Sequence, residues 1–165
     1  INYSKEELNT STSSNPYQQR KFVGDAPTSS LSTDLRKTIR LTSDTTLCVY
    51  PGEGRTKNGS QVTIQNLDGT MDQDLVFLSD RSVSIAKRPD RCLDQLSGST
   101  ANDTKIQVFP CTGYNNQKWY YDSFTQQLHS YNDPAKCMQA GNDAGEDEVS
   151  LQDCADTARQ RFTIK

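Results

Sequence analysis

A five-residue motif occurs three times in this chain at a nearly constant spacing, and this repeat limits the possible folds more than any other feature. Each copy reads glutamine, any residue, a large apolar residue, any residue and an apolar residue, and the copies are 73–77, 117–121 and 160–164. They start 44 and 43 residues apart. Two further columns keep the same period, and they hold Cys48, Cys92 and Cys137 in one and Leu67, Cys111 and Cys154 in the other. Such a period predicts three similar structural units.

Each unit has the pattern of short strands joined by turns. Alternating apolar and polar runs, such as 38–41 and 62–65, are separated by clusters of Gly, Asn, Asp and Ser, such as 57–60 and 141–145. This pattern is typical of strand, turn, strand, and no stretch keeps a helical period beyond about one turn. We therefore predict an all-β domain with about four strands per unit, closed into a barrel that leaves no exposed sheet edge. The predicted repeats are about 38–80, 81–124 and 125–165.

Length and charge limit the number of domains and the kinds of partner that the chain can have. The chain has 165 residues, 32% of them apolar, and a net charge of −3. This length suits one domain, and the charge argues against nucleic acid, which is bound by clustered Lys and Arg. No apolar run approaches the roughly 18 residues of a membrane span. Residues 1–36 are polar and lie outside the repeat, so we interpret them as a linker or the tail of a preceding domain, with the repeat domain at 37–165.

The five cysteines allow two pairs and one leftover thiol. Disulfides would indicate an oxidising compartment. The alternative is a zinc site, but structural zinc sites use closely spaced C-x-x-C pairs. Successive cysteines are here at least 17 residues apart, which favours disulfides. We expect no metal and no cofactor.

In combination, the Q-x-W motif, the cysteine columns and the run 106–111 resemble the ricin-type β-trefoil lectin family over about residues 38–165. The resemblance implies a β-trefoil in which the motif glutamines bond to backbone and Trp119 lies in the core. It also implies disulfides Cys92–Cys111 and Cys137–Cys154, each stabilising by roughly 3 kcal/mol. In the first repeat the position of the partner cysteine holds Leu67, so Cys48 is expected to be a buried free thiol.

The same resemblance implies one sugar site, in the second repeat. The family's binding repeats carry an Asp after the first Cys, an aromatic before the second and an Asn before the motif glutamine. Here these positions hold Asp94, Phe109 and Asn116, and Gln107 and Gln117 complete the predicted set. A solvent-facing Asp94 would accept two hydroxyl hydrogen bonds, Asn116 would donate and accept, and Phe109 would cover the sugar's C–H face.

The other repeats lack this combination. The three columns hold Tyr50, Gln65 and Asp72 in the first repeat and Gln139, Gln152 and Arg159 in the third. We therefore predict one site per chain by this mode, although an unconventional use of Tyr50 remains open.

Two other classes of function compete with a lectin. An enzyme would need partners for the single histidine, His129, or a carboxylate pair, and no motif points to either. The acidic run 146–148 lacks the spacing of a calcium loop. A protein-binding trefoil would not explain the sugar set. We expect a secreted, non-catalytic lectin.

The resemblance also implies the ligand and the context. The expected partners are terminal galactose or N-acetylgalactosamine on cell-surface glycoproteins or glycolipids, which would give peripheral membrane contact through glycans. The chain is similar to trefoil domains of bacterial pore-forming cytolysins of the Vibrio haemolysin type, which implies possible oligomerisation through the parent protein. The alternative parent is a secreted hydrolase or protease that uses the module to reach its substrate.

Overall fold

The computed structural model describes residues 35–52, 57–141 and 147–165, and these form the predicted all-β domain. The strands are β1 Ile39–Leu41, β2 Leu47–Tyr50, β3 Ser60–Gln61, β4 Thr63–Asn66, β5 Leu75–Phe77, β6 Val83–Ile85, β7 Arg88–Gln95, β8 Thr104–Pro110, β9 Trp119–Asp122, β10 Gln127–Ser130, β11 Lys136–Ala140, β12 Val149–Asp153 and β13 Phe162–Ile164. Short 3₁₀ turns occupy Met71–Gln73, Leu96–Gly98, Asn115–Gln117 and Ala158–Gln160.

The proposed linker, 1–36, lies almost entirely outside the described residues. Its last two residues contact the domain: Leu35 is buried, and Arg36 Nη1 lies 3.5 Å from Asp74 Oδ2.

Three equivalent strand pairs close the barrel. The last strand of each repeat pairs with the first strand of the next, which gives β5 with β6, β9 with β10, and β13 with β1. Three hairpins, β2–β4, β7–β8 and β11–β12, lie beyond them. The pairing of Ile39 with Ile164 joins the two ends of the repeat region. Bridges between Lys37 and Leu75 and between Ser82 and Lys118, and the bond from Phe162 N to Gln126 O, link the two barrel strands within each repeat. This arrangement is the predicted β-trefoil.

The three hairpins meet at the pseudo-three-fold axis. There the side-chain nitrogen of Gln61 donates to the backbone carbonyls of Val62, Ile106 and Val149, at 2.9, 3.1 and 3.0 Å. These three residues are equivalent, one from each repeat. A single amide therefore bonds to all three units, which are also joined here by backbone hydrogen bonds from Val62 N to Ile106 O and from Val149 N to Val62 O, both at 2.9 Å.

The motif residues have the structural roles that the sequence indicates. Leu75, Trp119 and Phe162, at the third motif position, are all buried in the core. Gln117, at the first position, accepts from Thr112 N and donates to Pro110 O, both at 2.8 Å. Gln73 and Gln160 make the equivalent pair of bonds in their repeats. Each glutamine thus fastens the loop that precedes its own strand.

Both predicted disulfides are confirmed. Cys92–Cys111 and Cys137–Cys154 each join the two strands of one hairpin, and Cys48 is buried as a free thiol. The first repeat has Leu67 in place of the second cysteine, so its hairpin carries no disulfide.

Cys48 is expected to resist alkylation in the native protein. Burial raises the pKa of its thiol to about 11, so at about pH 8 the reactive thiolate is about a hundredfold scarcer than in an exposed cysteine. Iodoacetamide labelling followed by mass spectrometry should therefore be at least that much slower in native buffer than in denaturant. Equal rates would show that the first repeat opens readily.

Candidate functional site

Strands β7 and β8 bring the predicted sugar-binding side chains onto one face of a hairpin. In the antiparallel register Asp94 lies opposite Gln107, and Cys92 lies opposite Phe109. Alternate residues of a strand share a face, so these four side chains project to the same side. The Cys92–Cys111 disulfide covalently joins the two strands beside Phe109.

The Asp94 carboxylate is the centre of a hydrogen-bond network. Its Oδ1 accepts from Gln107 Nε2, and its Oδ2 accepts from Asn116 Nδ2 and from Gln117 Nε2, each at 2.8 Å. All three donors are side-chain amides, so only a group that accepts at both oxygens satisfies them. The structure therefore brings together four of the five sequence-predicted residues in direct contact.

The expectation of a solvent-facing Asp94 is wrong. The residue is only 3% exposed, because β8 and the 3₁₀ turn that carries Asn116 cover it with their amides. Gln117 is completely buried, and its amide also holds the loop backbone. Gln117 can therefore act on a ligand only by positioning Asp94. Phe109, by contrast, is 37% exposed, which leaves part of its ring available.

Two glycines that sequence reasoning did not single out border this network. Gly98, with φ +67°, would place a Cβ 3.9 Å from Asn116 Cβ, and Gly59, with φ +86°, would place one 3.5 Å from Gln107 Oε1. Gly59 belongs to the first repeat and reaches the site because β3 pairs with β8, Ser60 lying opposite Val108. The Asn58-Gly59 pair in the sequence indicates a turn, but it does not indicate that Gly59 lies beside Gln107. Only the pairing of strands from two repeats reveals that contact.

The equivalent positions of the other repeats are built differently. In the third repeat Gln139 replaces Asp94, and its Oε1 accepts from Gln160 Nε2 at 3.1 Å. Gln152, at the aromatic position, donates to Asp103 Oδ1 at 2.8 Å. In the first repeat Tyr50 lies opposite Thr63, and Asp72 accepts from Lys87 Nζ at 2.8 Å. Single-site binding stays a prediction, but these side chains already have partners within the protein.

Two other features, a cavity in the third repeat and a histidine beside a disulfide, lie outside the Asp94 network. A cavity of about 430 Å³ in the third repeat is lined by residues that include Phe124, Gln127, Asp156 and Arg161, and Asp94 is not among its residues. His129 Nδ1 lies 3.4 Å from the sulfurs of Cys137 and Cys154. Those sulfurs are joined to each other, so this group offers a metal only the imidazole.

Within the part of the chain that the structure describes, no helix is long and apolar enough to cross a membrane. Glu146, from the acidic run, lies outside the described residues, and Glu148 pairs with Lys105 at 3.4 Å.

Several solved structures share this fold. The lectin domain of the Vibrio vulnificus haemolysin/cytolysin, solved with N-acetyl-D-lactosamine, superposes with a TM-score of 0.62 at 20% identity, covering 79% of this chain and 93% of that one. The designed three-fold symmetric protein ThreeFoil gives 0.68 at 17% identity, covering 78% and 96%. A mosquitocidal holotoxin gives 0.66 at 18% identity, covering 79% and 17%.

At these identities the likeness extends to the fold alone. The chain spans only 17% of the holotoxin and 21% of another similar structure, the enzyme GalNAc-T7, so those proteins are much longer than this chain. No curated protein sequence matches the chain significantly.

The family comparison agrees with the fold and with the motif columns. The model of the ricin-type beta-trefoil lectin domain matches residues 37–162, which include every strand from β1 to β12 and the start of β13. This family is one of carbohydrate binding rather than catalysis. The chain belongs to the ricin-type β-trefoil lectin domain family.

Proposed function

We propose that the chain binds terminal galactose or N-acetylgalactosamine through the second repeat. The observation that carries this proposal is the Asp94 carboxylate, held by three amides and neighboured on its strand face by a partly exposed Phe109. Such a combination offers a charged acceptor, amide groups and an apolar ring to one ligand, which matches the hydroxyls and the C–H face of a sugar.

The hydrogen bonds already present limit how the sugar is held. A carboxylate has about four acceptor positions, and amides take three of them at Asp94, leaving one at Oδ1. We therefore expect Asp94 to accept one sugar hydroxyl rather than the two inferred from sequence. A neighbouring hydroxyl would bond to Asn116 or Gln107, whose amides Asp94 fixes in position.

The preference for galactose rests on the family resemblance and on the exposed ring. In galactose the axial O4 leaves an apolar C–H patch that can pack on Phe109 while the hydroxyls face Asp94 and Asn116. In glucose the equatorial O4 points away from that pair. N-acetyl-D-lactosamine, which is bound to the Vibrio vulnificus lectin domain, also contains galactose.

The likeness to toxin structures supports a role in attaching a secreted pore-forming toxin to glycosylated membranes. Two disulfides fit an oxidising compartment. One site of this kind holds a monosaccharide at about millimolar affinity, or roughly −4 kcal/mol. Attachment would therefore need several copies in an oligomeric parent, since linked sites gain roughly 10²–10⁴ in avidity.

The alternative parent is an enzyme that uses the domain to reach glycosylated substrates. The observation in its favour is the same trefoil in GalNAc-T7, solved with UDP, GalNAc and Mn²⁺. A parent of this kind needs no oligomer, so the stoichiometry of the full-length protein separates it from the toxin.

Calorimetry of the isolated chain tests the sugar site. Methyl galactoside and N-acetylgalactosamine should bind at about millimolar Kd with a stoichiometry near one, and methyl glucoside should bind much more weakly. Three equivalent sites, or micromolar affinity for the monosaccharide, would contradict both the single-site prediction and the need for avidity.

Phe109→Ala is expected to abolish detectable galactoside binding while lowering the free energy of unfolding by less than about 1 kcal/mol, because the ring is partly exposed and stacks on the ligand rather than in the core. Calorimetry and denaturant titration measure the two effects. The matched control is Phe124→Ala, at an exposed ring between β9 and β10, which should leave binding unchanged. A large stability loss for Phe109→Ala would assign that ring to the core.

A further inference from the structure

Arg81, Lys118, Tyr120 and Tyr131 form a cationic–aromatic cluster on the surface that the sugar site does not use. The guanidinium carbon of Arg81 lies 5.9 Å from the ring centre of Tyr120 and 5.8 Å from that of Tyr131. Lys118 Nζ also lies 5.8 Å from the Tyr131 ring. Both tyrosines are about half exposed, so the cluster is open to solvent.

The barrel backbone holds these four residues in place. Trp119 N donates to Arg81 O at 2.9 Å, and Tyr131 N donates to Lys118 O at 3.1 Å. Ser82 and Lys118 form a bridge between the same segments. Arg81 has φ 76°, a left-handed conformation that favours glycine, so a cationic side chain is present where glycine would be less strained. Tyr120 lies in β9, and backbone hydrogen bonds of the barrel anchor the segments at Arg81, Lys118 and Tyr131.

Pseudo-symmetry shows that Lys118 lacks, among the described residues, the ion pair that the equivalent residues of the other repeats make. The positions equivalent to Lys118 are Asp74 and Arg161, and both have ion-pair partners, Arg36 and Asp156. In the described ranges no carboxylate lies within 4.0 Å of a side-chain nitrogen of Arg81 or Lys118. The ring centres of Tyr120 and Tyr131 lie 5.8 or 5.9 Å from these cations, Arg81 near both and Lys118 near Tyr131. Two adjacent positive charges thus remain available in a chain of net charge −3.

We propose that this cluster is a second ligand site, which binds the acidic group of an anionic saccharide, a carboxylate or a sulfate ester. The Arg81 fork and the Lys118 ammonium would pair with the oxyanion, because ring contacts leave their N–H donors free for a charged acceptor. The half-exposed tyrosines offer rings and hydroxyls to the sugar itself. Two cations are too few for a nucleic acid, which needs a longer basic surface. This site goes beyond the galactose site at Asp94 and shares no residue with it.

The test is an NMR titration of the ¹⁵N-labelled chain at low ionic strength with three probes. These are the methyl glycoside of N-acetylneuraminic acid, galactose 6-sulfate and neutral methyl galactoside. The two anionic probes should shift the amide signals of Arg81, Lys118, Tyr120 and Tyr131 in a salt-sensitive way, and the neutral probe should not. Comparing the carboxylate and the sulfate ester shows which acid the site prefers, and binding of either one supports it.

Arg81→Gln and Lys118→Gln should each weaken anionic binding roughly tenfold. The fold should tolerate the first, because Gln126 occupies the equivalent turn position of the third repeat with φ 62° and its carbonyl accepts from Phe162 as that of Arg81 does from Trp119. The matched control is Lys87→Gln, at an exposed lysine that pairs with Asp72, which should change nothing.

Three results would overturn the proposal. The first is unchanged binding in both cluster variants. The second is an affinity for inorganic sulfate equal to that for the anionic sugars, which would show that the site recognises only the anion and not the sugar. The third is binding to phosphatidylserine vesicles without binding to either anionic sugar. In the Asp94→Ala variant the anionic probes should still shift the amide signals of the cluster, even if galactoside binding is lost. Failure of the galactose site and failure of this site are therefore distinguishable.

Discussion

Asp94→Ala is expected to abolish galactoside binding and to lower the free energy of unfolding by roughly 2–4 kcal/mol. The substitution removes the acceptor for the sugar hydroxyl. It also leaves the amides of Gln107, Asn116 and Gln117 without the Asp94 oxygens to which they donate in the native protein. Unpartnered donors in a buried place are costly, so loss of binding and loss of stability should occur together. Calorimetry with methyl galactoside and urea titration measure the two effects.

Two variants separate the possible causes of this effect. Asp94→Asn keeps the shape but puts an NH₂ group against amide donors, so it should also lose binding. Gln139→Ala changes the equivalent position of the third repeat, where Gln139 contacts Gln160, and should leave galactoside binding unchanged. Retention of binding in Asp94→Ala would place the sugar site elsewhere.

Trp119→Ala is expected to lower the free energy of unfolding by about 3–5 kcal/mol. The side chain is buried among the residues of the core, and its Nε1 donates to Leu93 O at 3.3 Å. Truncation leaves a cavity and a buried carbonyl without this donor. Denaturant titration gives the size of the effect, and an unchanged m-value would show that the unfolded state is not altered.

Trp119→Phe is the matched control, because Phe162 occupies the equivalent position of the third repeat. It removes the Nε1 donor but keeps most of the apolar volume, so a smaller loss is expected than for alanine. If alanine and phenylalanine cost the same, the hydrogen bond to Leu93 would carry the effect rather than the packing. A loss below about 1 kcal/mol for alanine would contradict the core assignment.

Much of the fold follows from the sequence because each repeat has to meet the same structural demands. A period of about 44 residues and an apolar residue two positions after each motif glutamine predict three similar units. The family resemblance of the two cysteine columns implies the disulfides Cys92–Cys111 and Cys137–Cys154, which the structure contains. Alternation along a strand indicates which residues share a face, whereas the structure supplies the register that places Asp94 opposite Gln107.

The sequence also predicted which residues surround Asp94, but not which of them are buried and which can reach a ligand. Local patterning identifies residues that share a strand face, whereas burial depends on what the rest of the chain places above that face. The amides of Asn116 and Gln117 come from beyond β8 and cover Asp94, so a carboxylate expected to face solvent is almost completely buried. Its acceptor capacity is therefore largely used by the protein.

Contacts between repeats were decided by the tertiary structure alone. Gly59 lies beside Gln107 because β3 pairs with β8 across a repeat boundary, and Arg81 lies against Tyr131 because strands from different repeats close the barrel. Neither contact leaves a signal in local periodicity, since the partners are about 50 residues apart. The sequence by itself determined the repeat, and its resemblance to the lectin family implied the cysteine pairing and the residues that surround Asp94. Chain closure decided which charges and rings meet at the boundaries between repeats, because only closure brings distant segments within contact distance.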